Sequence, residues 1–163
     1  MRKICLLFIL WACVCLTGNV GTQASETKKD TIEIYIEKQL DNRCFTVDVS
    51  MAYPMRGRSI PLTSSYSLKM KNDSVDVYLP YFGRAYSVPY GGGKGLHFQS
   101  EITGFCLEKK KKGYEVRFSS KTEEDVFDFY LDISTGGSVT VSVTMHNRQP
   151  IRYSGEIVAE EMQ

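Results

Sequence analysis

The chain is predicted to be an all-β protein: an antiparallel meander of about eight strands closing as a small up-and-down barrel. Three observations carry this. From Arg43 onward apolar residues alternate with polar ones, the period of a strand with one covered face. The strands follow one another through short turns, and no helix-length connection separates them, so parallel pairing is out of reach. Each strand has a single apolar face, so the sheet must curl or pair with another, and closure also removes exposed edges. A two-layer β-sandwich is the alternative.

The order of elements follows from the residues. At 163 residues the chain holds one domain with a core of its own. It opens with Arg2 and Lys3, followed by an apolar run from Ile4 to Leu16. That is the layout of a secretory signal, with an h-region too short to span a bilayer. Residues 1–24 are read as the signal, with cleavage after Thr22-Gln23-Ala24. The rival is a lipoprotein signal in which Cys13 becomes the lipidated first residue, although Trp11 fits that slot poorly. The expected location is periplasmic or secreted, or, under the rival, the outer membrane by a lipid anchor.

Residues 25–42 read as a polar leader and a short helix. Asp30 and Glu33 have capping-box spacing, and Ile32, Tyr35, Ile36 and Leu40 fall on one helical face. Residues 43–158 form the single β domain, and 159–163 a C-terminal tail. Phe45, Val47, Val49 and Met51 share one face of the first strand. A loop broken by Pro54, Gly57 and Pro61 follows. Tyr66, Leu68 and Met70 then turn at Asn72-Asp73 into Val75, Val77 and Leu79, a hairpin that ends at Pro80. After residue 98 the alternation resumes through Phe105 and Leu107, Tyr114 to Phe118, Phe127 to Ile133, Val139 to Met145, and Ile151, Tyr153 and Ile157.

One stretch departs from this regularity. Tyr78 to Phe98 holds six of the nineteen aromatic residues and five of the thirteen glycines. Tyr78, Tyr81, Phe82, Tyr86 and Tyr90 accompany one cation, Arg84. Such side chains supply large contact area, hydrogen bonds and cation–π contacts at modest entropic cost. Two uses fit: the rings plug the open end of the barrel, or they line a site at its mouth. Tyr78, with Val75, Val77 and Leu79 on the opposite face, is expected to point outward.

The segments LTSSYSLKMKNDSVDVYLPYFGRAYSVPYGGGKGLHF, VFDFYLDISTGGSVTVSV and NRQPIRYSGEI resemble the domain-of-unknown-function family 4251, from roughly Phe45 to Ile157. The resemblance implies a small secreted or lipid-anchored envelope protein of Bacteroidota with a mostly β domain. It implies no activity and supplies no catalytic or binding residues.

Several chemistries are set aside. Loss of Arg2 and Lys3 from 20 basic residues against 19 acidic leaves a near-neutral mature chain, which argues against nucleic acid as a partner. Lys109 to Lys112 sit at a hairpin tip, an ordinary solvated position. The glycines around Lys94 match neither the phosphate loop nor the dinucleotide fingerprint. His97 and His146 are the two histidines, and neither has metal-ligand spacing, so no metal and no cofactor is expected. Glu123, Glu124 and Asp125 read as a solvated turn. In the mature chain Cys44 and Cys106 remain, and an oxidising compartment would permit a bridge between them.

The leading functional expectation is non-enzymatic binding of a small ligand or an envelope protein through the Tyr78–Phe98 loop, with Tyr78, Tyr81, Phe82, Arg84, Tyr86, Tyr90 and His97 as candidate contacts. Membrane contact is expected only with a lipid anchor. One alternative is a hydrolase or lyase with Tyr86 as acid, Arg84 as anion clamp and His97 as base. Another is a structural or assembly factor without a pocket, which recognises a partner at an open sheet edge.

Overall fold

The computed structural model describes residues 23–86 and 95–158. Residues 1–22 of the stretch read as a signal, with Cys13, lie outside the described residues, as do Tyr90 and the 159–163 tail. One helix, α1 (Gln23–Asp41), precedes eight strands: β1 (Cys44–Pro54), β2 (Ile60–Lys71), β3 (Ser74–Leu79), β4 (Leu96–Lys110), β5 (Gly113–Lys121), β6 (Val126–Ser134), β7 (Ser138–Met145) and β8 (Ile151–Val158). Every strand pairs antiparallel with its neighbour in sequence, and β8 returns to β1. The sheet is a closed barrel, as the alternation predicts, and not a sandwich.

The inward positions fill the barrel. Phe45, Val47 and Val49 of β1 meet Met70 and Leu68 of β2, Val75 and Val77 of β3, Phe127, Phe129 and Leu131 of β6, and Val139, Val141 and Val143 of β7, all buried. Charged side chains such as Asp48, Lys69, Asp76, Asp128 and Glu156 face outward. Apolar inside and polar outside is the inverse of a membrane-spanning barrel. On the outer wall Glu115 accepts the Tyr130 hydroxyl at 2.6 Å and lies 3.0 Å from Arg117, and these partners, Tyr130 first, hold its carboxyl below its ordinary range.

Two bulges adjust the pleat. Between Val49 and Met51 the register slips, so that Ala52 is buried where simple alternation puts Met51 inward. The strand also continues to Pro54, and β2 begins at Ile60, leaving a shorter β1–β2 loop than the proline spacing suggests. The second bulge lies between Thr103 and Cys106, where Gly104 has φ of 66°. There the inward phase switches from Leu96 and Ile102 to Phe105 and Leu107, which pack against the core.

The helix closes one end. Ile36 and Leu40 are buried against the barrel, and Glu37 pairs with Lys109 at 2.8 Å. It begins earlier than the capping-box spacing implies: Asp30 lies inside α1, because the residues before it include good helix formers such as Glu26, Lys28 and Lys29. Arg43 ends it in a left-handed conformation (φ 50°) and extends over the Phe105 ring, 4.6 Å from its centroid.

Cys44 and Cys106 are free and exposed, on β1 and β4. With β2 and β3 between them they stand three strand spacings apart, each about 4.8 Å. A bridge requires Cα atoms within roughly 7 Å, so the pairing allowed by the sequence is not made.

Closure of β8 on β1 depends on Gly155, which faces Val49: a Cβ there would strike the main chain of Asp48. Gly155→Val is expected to lower stability by roughly 2–4 kcal/mol, read as the shift in a urea unfolding curve. A midpoint like that of the unaltered chain would show that the seam is looser than described.

Candidate functional site

The end of the barrel opposite the helix carries four connections, and three of them are stitched together. Pro80 starts the first: it ends the ladder for want of an N–H, but its carbonyl accepts the Tyr153 hydroxyl at 2.7 Å. Tyr153 is 0% exposed, and burial pushes its phenol well above the ordinary tyrosine range. The next residue, Tyr81, aims one hydroxyl at two carbonyls, Gln149 O at 2.9 Å and Arg84 O at 3.0 Å. Burial raises its phenol as well. Main-chain bonds add to the stitching: Gln149 N–H donates to Arg84 O (3.0 Å), Tyr86 N–H donates to Asn147 O (2.8 Å), and Ala85 forms a bridge with Arg148.

The third connection is the β5–β6 turn. Asp125, 5% exposed, accepts the N–H groups of Val126 (2.9 Å), His146 (3.1 Å) and Asn147 (3.1 Å). Asn147 Nδ2 donates to Glu124 O at 3.1 Å. Arg148, also 5% exposed, reaches Glu124 at 3.2 Å and lies over the Tyr81 ring, 5.7 Å from its centroid. A carboxylate serving several amides locks two turns together. The acidic triplet is therefore divided: Glu123 and Glu124 are exposed as the composition suggests, whereas Asp125 is a buried fastener.

A cleft of 680 Å³ lies beside this assembly, lined by His97, Phe98, Gln99 and Ser100 on one side and by Lys121 to Glu124, Phe127 and Arg148 on the other. It exists because β4 changes partners along its length. Leu96 to Glu101 pair with β3, while pairing with β5 starts at Ile102. At the fork the Ser100 and Ser120 hydroxyls are hydrogen-bonded. The Phe98 ring, half-buried, forms part of the floor and stacks on Phe127 at 4.4 Å.

A larger groove of 960 Å³ runs along the outer wall, past Asp48, Ser50, Asp132, Thr140, Ser154 and Glu156. It is the hollow left by small side chains on β1, β8 and β7, whose main chains are paired on both sides. The cleft by β4 is the better candidate: it has aromatic surface and a strand whose one side, among the described residues, is unpaired.

The predicted contact residues separate by role. Tyr78 points outward, 48% exposed, its ring between Tyr66 (5.5 Å) and the exposed His97 (4.3 Å). Phe82, Arg84 and Tyr86 are exposed, Tyr86 at 71%. Tyr81 is half-buried and its hydroxyl is committed to the fold. Among the described residues no hydrogen bond, ion pair or ring contact joins Arg84, Tyr86 and His97 to one another. Sequence reading missed Phe98, Gln99 and Arg148 as cleft residues. Only the strand-like triplet Leu96-His97-Phe98 beside an aromatic loop hinted at them, and Arg148 sat in what reads as a plain turn.

A family model described as "Domain of unknown function (DUF4251)" matches residues 26–157. The crystal structure of a DUF4251 family protein from Bacteroides eggerthii is similar to this chain, with a TM-score of 0.63 and 16% identity over 78% of this chain and 87% of that one. At that identity the likeness concerns the fold. No curated protein matches the chain.

Asp125→Ala is expected to lower stability by roughly 2–4 kcal/mol, because it strands three amides at once. Glu123→Ala in the same turn is expected to be neutral within about 0.5 kcal/mol; equal effects in thermal unfolding would refute the division. Alkali provides a second test. Tyr153 has a raised pKa in the folded state, so the unfolded chain loses that proton first, near the ordinary tyrosine value of about 10. Stability contributed by the neutral phenol is complete below pH about 10 and falls as pH rises above it. Tyr153→Phe should be less stable at pH 7 yet flatter in stability above pH 10; parallel curves would contradict the burial argument.

Proposed function

From the premise that the chain belongs to the DUF4251 family, whose description assigns no activity, we propose that it is a non-enzymatic binding domain of the cell envelope. The N-terminal leader supports export, to the periplasm or beyond, with a lipid anchor at Cys13 as the alternative. The observation that carries the binding reading is the cleft of 680 Å³ at the aromatic-loop end. Its rim is held by Asp125 and Tyr81, while Phe82, Arg84 and Tyr86 stay exposed beside it. A rim already fixed in place loses little entropy when a ligand arrives. The exposed side chains next to it contribute ring faces and a cation for a small ligand or a protein partner.

Native mass spectrometry of the protein recovered from its own envelope fraction tests this. A retained ligand is expected, and the double variant Arg84→Ala/Tyr86→Ala is expected to release it without moving the melting temperature, since both side chains are exposed. A ligand unaffected by the double variant, or a variant that unfolds, would remove the loop from the site.

A further inference from the structure

We propose that the cleft takes an extended peptide, added as a strand to the free side of β4 between Leu96 and Glu101; this rests on the reading of the cleft as a binding site and names its occupant. The argument begins with the direction of the main-chain groups. Ile102 N–H donates to Asp73 O at 2.9 Å, toward β3. In an antiparallel ladder the bonding direction alternates from residue to residue. Ser100, Phe98 and Leu96 therefore present their main-chain groups to β3, opposite Val75, Val77 and Leu79. His97 and Gln99 present theirs to the cleft. The His97 N–H is engaged by Gly95 O at 3.0 Å. The His97 carbonyl and both main-chain groups of Gln99 have no strand beside them among the described residues.

This gap is fixed in the fold. β5 cannot extend to fill it, because Lys121 already pairs with Val126 and the Thr122 N–H closes the turn on Asp125 O at 3.0 Å. Asp125 in turn is held by the amides of His146 and Asn147. The other unshared part of β4, beyond Ile102 on the β3 side, is flanked by this chain itself, through Arg43 over Phe105 and Glu37 on Lys109.

The chemistry left in the cleft suits a peptide backbone. Donors and acceptors that recur at every second residue, about 7 Å apart, match another extended chain. The half-buried Phe98 ring, stacked on Phe127, offers a seat for one apolar side chain of that chain. Lys121 and Glu123 on the opposite lip carry opposite charges, and Glu124 is paired with Arg148, so no net charge is demanded of the occupant. Edge strands in folded proteins are usually guarded by lysine, proline or a bulge. Leu96-His97-Phe98-Gln99-Ser100 has none of these.

The probe is a phage-displayed library of random eight-residue peptides, selected on the full mature chain. Selected peptides are then synthesised with N-methyl groups on either the odd or the even residues. Strand addition predicts that one of the two methylated series keeps binding and the other loses it, because alternate amides face β4. Gln99→Pro should weaken binding about tenfold or more through loss of one donor, whereas Gln99→Ala should leave it unchanged. The methylation series needs no protein variant, so it decides the matter even where Gln99→Pro fails to fold. Failure to select any peptide, equal loss in both series, or indifference to Gln99→Pro would overturn the proposal. A small molecule that co-purifies, is released by Arg84→Ala/Tyr86→Ala and is not displaced by peptide would also overturn it while leaving the binding-domain reading intact. Conversely, selected peptides unaffected by Arg84→Ala/Tyr86→Ala but sensitive at Gln99 would sustain strand addition and remove the loop from the site.

Discussion

Closure of the sheet on itself is the constraint from which the other features follow. Eight strands enclose an interior just wide enough for side chains, and here Phe45, Phe118, Phe129, Tyr114 and Tyr153 occupy it with the aliphatic residues. Once β8 meets β1, every residue in the wall is assigned to inside or outside, and there is no slack in the circumference. The seam shows how tight the fit is: Gly155 has no room for a side chain against Asp48, and the bulge at Val49 and Met51 restores the inward phase with Ala52. A circle that closes this tightly confines irregular structure to its two ends and to places where neighbouring strands differ in length.

That difference is greatest at β3 and β4, six residues against fifteen. A strand of that length beside such a short partner must leave main chain uncovered, and β4 divides the problem in two by passing from β3 to β5 at Ile102. Gly104 supplies the left-handed kink at which the strand changes phase. The helix end has α1 and Arg43 beside the lower half. The upper half faces the cleft, so the candidate site is a consequence of strand lengths as much as of the unusual composition next to it.

Much of this was legible in residues alone. Alternation gave eight strands and the barrel, Pro80 gave the end of β3, and Tyr78 with its neighbours Val77 and Leu79 gave an outward ring. What could not be read has physical reasons. A pattern of period two says nothing about which strand changes partners, and the phase switch at Gly104 made Leu96–Phe98 and Phe105–Leu107 look like separate pieces. Asp125 resembles its exposed neighbours in composition, and only the convergence of two turns, with His146 21 residues further along the chain, gives it amides to bind. The helix start was misplaced because capping-box spacing is a local signal, outweighed by favourable residues on its N-terminal side.

The loop's aromatic residues resolve an apparent conflict between plug and site. Tyr81 and Tyr153 spend their hydroxyls on carbonyls of the connections that close the end, and burial of their rings makes that closure rigid. The side chains of Tyr78, Phe82 and Tyr86 take no part in it and remain at the surface. The same composition thus closes the end of the barrel and leaves the remaining rings at its surface, where the proposed recognition would use them. Open edges and exposed rings are usable as a recognition surface only if the backbone beneath them is held, because otherwise the entropy of ordering the loop would consume the contact energy. At this end of the barrel the holding is done by side chains already committed to the fold: one carboxylate, two phenols and a guanidinium placed between a ring and an acid.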